Sequence, residues 1–422
     1  MKVLVLGAAV SGLAAARLAA AHGHDVVVYD RRHVGSDEFP VRSGDWDIGF
    51  LDGVDLVVTS PGFPEHIGAI PDVLAKRIPL LSEMEYAVSA MDLSYAAITG
   101  TNGKTTVTSV TAEMLRASGL DAVAAGNIGN ALSTVALDPP RILAIEASSF
   151  QLRFIDRFHP VAAAILNIAP DHLDWHSDMD EYIAAKRRIF ENQESQDILV
   201  YDADDEGASA AVAGARSRLV PVSGRALPGG GSGVDGEELL IAGVRYPRPE
   251  LDRAYTMDLI AAGELAAHLG ATPDGIGETI AAFTPGEHRR TVVGTWDEVT
   301  WVNDSKATNP HAAVASIDAF PSVVLIAGGR NKGLDLSPIV AAAGVRMLIG
   351  LGEAAAEFER MIDGDRFVRA DDLADAIAIA DRIARPGDTV LLAPGCASFD
   401  MFESYAARGS EFRRLVRAAK GE

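Results

Sequence analysis

Residues 98–109 read ITGTNGKTTVTS, and they restrict the fold more than any other stretch. A β-branched, apolar lead-in turns through Gly100 and Gly103 into a run with helical character. Glycines adopt backbone angles closed to other residues, so successive N–H groups can turn inward on an anion. The helix that follows aims the positive end of its dipole at the same place. Lys104 is placed to reach a terminal phosphate, and Thr105 to offer a hydroxyl to Mg²⁺. The standard G-x-x-x-x-G-K-[ST] loop spaces its glycines more widely. A bare glycine turn with an exposed lysine is the bland alternative. The strand before, the helix after and Lys-Thr-Thr at the junction speak against it. A strand that enters a helix in this way is one unit of a parallel α/β sheet.

The same grammar runs through all 422 residues. Short apolar runs alternate with helical stretches, which predicts an α/β protein of three domains. A Rossmann-like N-terminal domain is expected over residues 1–93, with strands Lys2–Leu6, Val26–Tyr29 and Leu56–Thr59. A central P-loop ATPase-type domain with a mainly parallel sheet is expected over 94–285. Its further strands are Ile142–Ile145, Ala163–Leu166 and Ile198–Tyr201, with closing helices near 257–268 and 272–283. The glycine-rich LPGGGSGVDGEE reads as a surface loop or hairpin. A C-terminal Rossmann-like domain is expected over 286–422, opening with two short strands around Trp296 and Trp301.

Composition narrows the partners. The net charge is -22 and the pI about 4.8, which argues against nucleic acid or an anionic membrane surface. Cys396 is the one cysteine, so no intramolecular disulfide forms, which fits a reducing cytoplasm. The apolar N-terminus is punctuated by Gly7, Gly12, Arg17 and Asp25, unlike a signal peptide. No run has the length of a membrane helix.

Other polar clusters fall where strands end. In VLVLGAAVSGLAAARLA the middle glycine of the dinucleotide fingerprint is Ala9. A nucleotide-type ligand and a structural βα turn both remain open there. Glu146 follows an apolar strand, where a carboxylate holds Mg²⁺ or caps a helix. Asn167, Asp171, His172 and Asp174 follow another, and a second metal ligand is a fair reading of His172. Lys186 shares a helix face with Tyr182, Ile183, Ile189 and Phe190, so it either snorkels or is used chemically. His288, Arg289 and Arg290 precede NDSKATN, and IAGGRNKG and LLAPGCASFD supply Lys332 and Ser398. Open α/β sheets bind ligands at such strand ends.

GTNGKTT, EASSFQL, NIAPDHLDWH, YIAAKRRIF, HRR, NDSKATN and APGCASFDMFESYAARGSEF resemble the Mur ligases in order and spacing, over essentially the whole chain. The shortened phosphate loop is itself that family's form. The resemblance implies an ATP-dependent amide ligase that joins D-glutamate to UDP-N-acetylmuramoyl-L-alanine with two Mg²⁺. Val10, Ser11, Asp30, Arg31 and Gly62 would hold the UDP group. Gly100, Thr101, Asn102, Gly103, Lys104, Thr105 and Thr106 would cradle ATP, with Arg289, Asp304 and Lys306 contacting it from the last domain. Thr105, Glu146, His172 and a carbamylated Lys186 would serve the metals, and Lys104, Glu146, His172 and Lys186 the catalysis. Asn127, Ser148 and Gln151 would touch the muramoyl part. Thr308, Lys332, Ser398 and Phe399 would hold D-glutamate. The family's asparagine-rich adenine segment is replaced by RAYTMDLIAA, with Ala254 and Met257 at the corresponding positions. The resemblance implies a cytoplasmic monomer with no nucleic acid and no membrane insertion. Addition of another amino acid such as L-glutamate is the first alternative. An NAD-dependent oxidoreductase is the second, weakened by Ala9.

Overall fold

The computed structural model describes residues 1–61, 63, 68–173, 175–362 and 364–422. It contains three sheets. The first has five parallel strands in the order Val41–Ser43, Asp25–Asp30, Lys2–Leu6, Leu56–Thr59, Leu80–Ser82. The second has nine, in the order Val244–Pro247, Glu238–Ile241, Ser232–Asp235, Arg218–Ser223, Ile198–Asp202, Ala162–Ile165, Ser94–Thr99, Ile142–Glu146, Ala122–Gly126. The LPGGGSGVDGEE stretch ends in the antiparallel pair Ser232–Asp235 and Glu238–Ile241, so the hairpin reading holds. The third sheet has six strands in the order Thr291–Trp296, Val299–Asn303, Thr389–Gly395, Val323–Gly328, Val345–Leu351, Phe367–Arg369. Its first pair is antiparallel and the rest parallel.

The central strands are apolar because they are covered on both faces. Ala144, Ile145, Ala163 and Ala164 are fully buried. Such two-sided burial gives continuous apolar runs rather than alternation. Each large aliphatic side chain buried this way contributes about 1.5–3 kcal/mol. Small residues in Ala162–Ile165 let the helices approach closely. Asp252 caps the helix Arg253–His268 through the Ala254 and Tyr255 N–H groups, and this helix packs along the central sheet.

The chain forms two compact units. One joins the first and central sheets, Met1–Ile168 with Trp175–Phe283. The other joins the third sheet with the segment Ala169–Asp174. Within the first unit one core is continuous, running from Val5, Val28 and Ala87 to Ala97, Leu143 and Ile145. Two buried glutamates on the helix Glu83–Val88 reinforce this join. Glu83 accepts the Ser133 N–H at 2.6 Å. Glu85 accepts the N–H groups of Asp156, Arg157 and Phe158 at 3.0–3.1 Å.

Candidate active site

The phosphate loop is built by backbone geometry. The strand Ser94–Thr99 ends in Gly100 at φ +155°, and Gly103 at φ +84° opens the helix Lys104–Ala117. A left-handed Gly103 carries little strain, whereas a side chain there would be strained. It would also collide, since a Cβ would lie 2.7 Å from Asp258 Oδ1 and 3.0 Å from a Leu166 methyl. Asn167 holds the loop from the neighbouring strand end. Its Oδ1 accepts the Asn102 N–H at 2.7 Å, its Nδ2 donates to the Asn102 carbonyl, and its own carbonyl takes the Thr101 N–H. The sequence places Asn167 in a polar cluster at a strand end, and its side chain here is a loop clamp.

Two cations meet at one carbonyl. Lys104 Nζ lies 2.8 Å from the Gly100 oxygen and 2.9 Å from that of Thr101. Lys186 Nζ lies 2.7 Å from the same Gly100 oxygen, 3.4 Å from Thr99 Oγ1 and 4.6 Å from the Tyr182 ring centre. Lys186 is 2% exposed. Its helix, Met179–Arg187, is capped by Asp178 and buries Tyr182 on the same face, as the spacing predicts. Tyr182 Oη in turn lies 3.1 Å from Thr101 Oγ1, so the helix supports the loop directly.

Glu146 stands one strand away, in register with Ile98. Asn127 Nδ2 donates to its Oε1 at 2.9 Å, while its Oε2 is buried with no hydrogen-bond partner among the described residues. A buried carboxylate oxygen left in this state is costly unless something positive meets it. A divalent cation suits that oxygen, and Thr105 lies in the first turn of the adjoining helix. Lys186 as an ammonium cannot ligate such a cation, but a carbamate could. Ser148 and Gln151 form a reciprocal capping box on the helix Ser149–Leu152. Both side chains are buried. Beside them a narrow crevice is lined by Thr59, Ser60, Phe63, Gln151, Phe154 and Trp175, running from the first sheet to the central one.

In the first sheet the Gly7 turn is forced by packing. A Cβ on Gly7 would lie 2.2 Å from Ser60 Oγ, and one on Gly12 1.8 Å from the Gly7 carbonyl oxygen. Val10, at the start of its helix, is 73% exposed, and Ser11 is half-buried. Asp30 accepts the Ala8 N–H at 2.9 Å and is gripped by Arg32 at 3.0–3.1 Å. The Arg32 hydrogen bond holds its carboxyl at about 2, against the opposing effect of burial. Arg31 is exposed, and it is Arg32 that engages Asp30. Gly62 lies outside the described residues.

In the second unit the polar motifs sit at the strand ends of the third sheet. His288, with φ +60°, gives its carbonyl to the Lys306 N–H and its Nδ1 to a 3.1 Å contact with Asn303. Arg289 and Arg290 are half-buried. Burial pushes the Asp304 carboxyl up, and the two arginines oppose that. Lys306 Nζ lies 3.8 Å from the Tyr405 ring centre. Lys332 Nζ pairs with Asp171 Oδ1 at 2.9 Å, and Asp171 Oδ2 is 3.3 Å from Asn309 Nδ2. A carboxylate thus already rests on the lysine that the resemblance gives to D-glutamate. His172, with φ +55°, donates its N–H to Asp171. Thr308 is half-buried, Ser398 is 3% exposed and Phe399 is 68% exposed. Met257 is buried in the central core and Ala254 is exposed.

Comparison with known proteins covers both units. Residues 98–225 match the family described as Mur ligase middle domain, and 288–396 match Mur ligase, glutamate ligase domain. A UDP-N-acetylmuramoylalanine--D-glutamate ligase of Frankia casuarinae is 41% identical over 453 residues, covering 100% of this chain and 95% of that protein. One from Desulfitobacterium hafniense is 36% identical over 441 residues, covering 99% and 97%. A pseudomurein peptide ligase type C from Methanothermus fervidus superposes with a TM-score of 0.64 at 17% identity, over 99% of both chains. A MurF ligase from Thermotoga maritima in complex with ADP gives 0.63 at 16% identity, over 94% and 96%. At those identities the structural likeness speaks for the fold.

Proposed function

The chain belongs to the Mur ligase family, and from that premise we propose how its residues carry out an ATP-dependent amide synthesis. It is an ATP-dependent ligase of peptidoglycan synthesis that joins D-glutamate to UDP-N-acetylmuramoyl-L-alanine. The relatives quoted above bear that activity in their names, which disfavours the L-glutamate and NAD-dependent alternatives. The observation that supports the site assignment is the meeting of Lys104 and Lys186 at the Gly100 carbonyl, with the orphaned Glu146 oxygen at the end of the adjoining strand.

A carboxylate is a poor acyl donor at neutral pH. The alanyl carboxylate oxygen attacks the γ-phosphorus of ATP, the bond to the β-phosphate oxygen breaks, and ADP leaves. The D-glutamate amine then attacks the acyl phosphate carbon. A tetrahedral intermediate forms, inorganic phosphate departs, and the amine proton is lost. Little covalent chemistry falls to the protein, so positioning and charge neutralisation dominate. Lys104 would leave the Gly100 and Thr101 carbonyls for the β- and γ-phosphates, which the N–H groups of Gly103 to Thr106 at the helix start would also face. Two Mg²⁺ would supply neutralisation of phosphate charge when bound, held by Thr105, Glu146, His172 and Lys186. For Lys186 the neutral amine would add to CO₂, forming a C–N bond and releasing a proton, to give a carbamate anion. That exchange turns a buried cation into an oxygen ligand of the right charge.

Val10, Ser11, Asp30, Arg31 and Gly62 would hold the UDP end, joined by Arg32, which already grips Asp30. Asn127, Ser148 and Gln151 would steer the muramoyl part. Arg289, Asp304 and Lys306 would meet ATP, while Thr308, Lys332, Ser398 and Phe399 would receive D-glutamate. Lys332 would exchange Asp171 for a substrate carboxylate of the same charge. Among the described residues no helix is long and apolar enough to cross a membrane. A cytoplasmic monomer is our reading. The deciding experiment is phosphate release from ATP with UDP-N-acetylmuramoyl-L-alanine, adding D- or L-glutamate separately. Release with D-glutamate alone is expected, and release with neither would overturn the substrate assignment.

A further inference from the structure

Arg408 is among the largest fully buried side chains of the protein, at 2% exposure. It lies in the YAARGSEF stretch, on the helix Tyr405–Ala419, and the reaction above gives it no role. No carboxylate forms an ion pair with it among the described residues. Its Nε donates to Ser305 Oγ at 3.0 Å, and its Nη2 to the Ser305 carbonyl at 3.0 Å and the Cys396 carbonyl at 3.3 Å. Ser305 Oγ passes its own hydrogen to the Tyr405 carbonyl at 2.8 Å. Burying a guanidinium without a counter-ion is expensive, and an aliphatic side chain would fill the same space at lower cost. What arginine adds is a rigid planar fork with fixed donor directions.

The two loops it holds are the ones that matter. Ser305 stands in NDSKATN, between Asp304 and Lys306 and three residues before Thr308. Cys396 stands two residues before Ser398. A third loop is attached next door, because Arg330 and Ala397 exchange backbone hydrogen bonds at 2.9 and 3.0 Å. That loop leads to Lys332. The following residue completes the arrangement. The Gly409 carbonyl accepts Asn303 Nδ2 at 2.8 Å, and a Cβ on Gly409 would lie 2.4 Å from His288 Nδ1.

We propose that Arg408 is the positioning residue of the amino-acid pocket, a buried fork that fixes the Ser305 and Cys396 loops to one helix and so sets the spacing of Thr308, Lys332 and Ser398. The proposal rests on the function given above for which substrate the pocket takes. Its mechanical half stands on Ser305 and Cys396 alone. Displacements of about 1 Å in a positioned site cost up to about a hundredfold in rate.

The test uses the full chain with Arg408→Lys, which keeps the charge and loses the fork, and Arg408→Ala. In Arg408→Lys the KM for D-glutamate should rise by about tenfold or more, with KM for ATP within about twofold. In Arg408→Ala, guanidinium ion should recover part of the D-glutamate affinity, because the space left matches it. Hydrogen exchange without substrate should rise together across 303–309 and 395–399 in Arg408→Lys. If neither variant folds, Ser305→Ala is read by the same two measurements. A folded Arg408→Lys with unaltered D-glutamate KM and unaltered exchange in both loops would overturn the proposal. Absence of D-glutamate-dependent phosphate release in the unaltered enzyme would count against the function instead, since the exchange arm does not depend on it.

Discussion

Lys186 and Arg408 are both 2% exposed, and both donate to main-chain carbonyl oxygen. Their surroundings differ in what they permit. The contacts of Lys186 include the Gly100 carbonyl oxygen, shared with Lys104, the Thr99 hydroxyl and the Tyr182 ring face, with Glu146 on the adjoining strand. Arg408 spreads its donors over two loops and a hydroxyl. Burial lowers its pKa to about 10, so it stays charged at neutral pH. A buried lysine exchanges its proton readily and is a nucleophile once neutral, whereas a buried guanidinium stays charged and unreactive. The first region is therefore equipped to change its charge, and the second to keep a shape.

The sharpest way to break this comparison is at Lys186. Lys186→Ala should lower phosphate release by at least about 10³-fold, with partial recovery by acetate as a substitute carboxylate. Lys186→Arg keeps the buried cation and should be equally inactive, because it cannot form a carbamate. Full activity in either variant would show that both cations are architectural. Glu146→Gln retains an acceptor for Asn127 but removes the charge. It should lower kcat by about 10²-fold and raise the Mg²⁺ concentration needed for half-maximal rate. An unchanged Mg²⁺ dependence would remove Glu146 from the metal site.

Gly103→Ala probes the loop that both lysines serve. Its positive φ and the Asp258 contact predict a loss of about 1–2 kcal/mol in stability and about a tenfold rise in KM for ATP. Thermal melts and initial rates check both. The smallest effect belongs to Asp30, a buried anion with a partner. Its folded pKa of about 2 lies below the ordinary 3.8, so its pairing stabilises the fold above that value and fades as pH falls towards 2. Asp30→Asn should lower Tm by a constant amount between about pH 5 and 8, and the gap to the unaltered protein should close towards about pH 2. A gap that persists undiminished in acid would mean that Asp30 acts without its charge.

The regions also differ in how far the sequence exposes them. The phosphate loop is legible because its geometry is local: glycines, a lysine and a helix start lie within a few residues. Lys2–Leu6 and Leu56–Thr59 form strands at the bounds expected, since buried parallel strands read as unbroken apolar runs. Lys186 is legible as a misfit, because Tyr182, Ile189 and Phe190 define its face and all are buried. Arg408 is not, since nothing local in ARGSEF marks that side chain as buried. Its burial depends on Ser305, more than a hundred residues earlier in the chain. Asn167 reads only as one of a polar cluster at a strand end, and the reciprocal bonds to Asn102 reveal a clamp. Arg31 and Arg32 are adjacent at a strand end, where the pleat no longer decides which one turns back to Asp30.

The paired glutamates of the helix Glu83–Val88 have a further consequence. They rivet the five-stranded sheet to the nine-stranded one within one compact unit. On the proposed function, a substrate gripped at one end by the first sheet would offer its other end to the phosphate loop only if its length were right. The join would then act as a ruler, and molecules with a spacer one unit short or long are expected to bind and still fail to react.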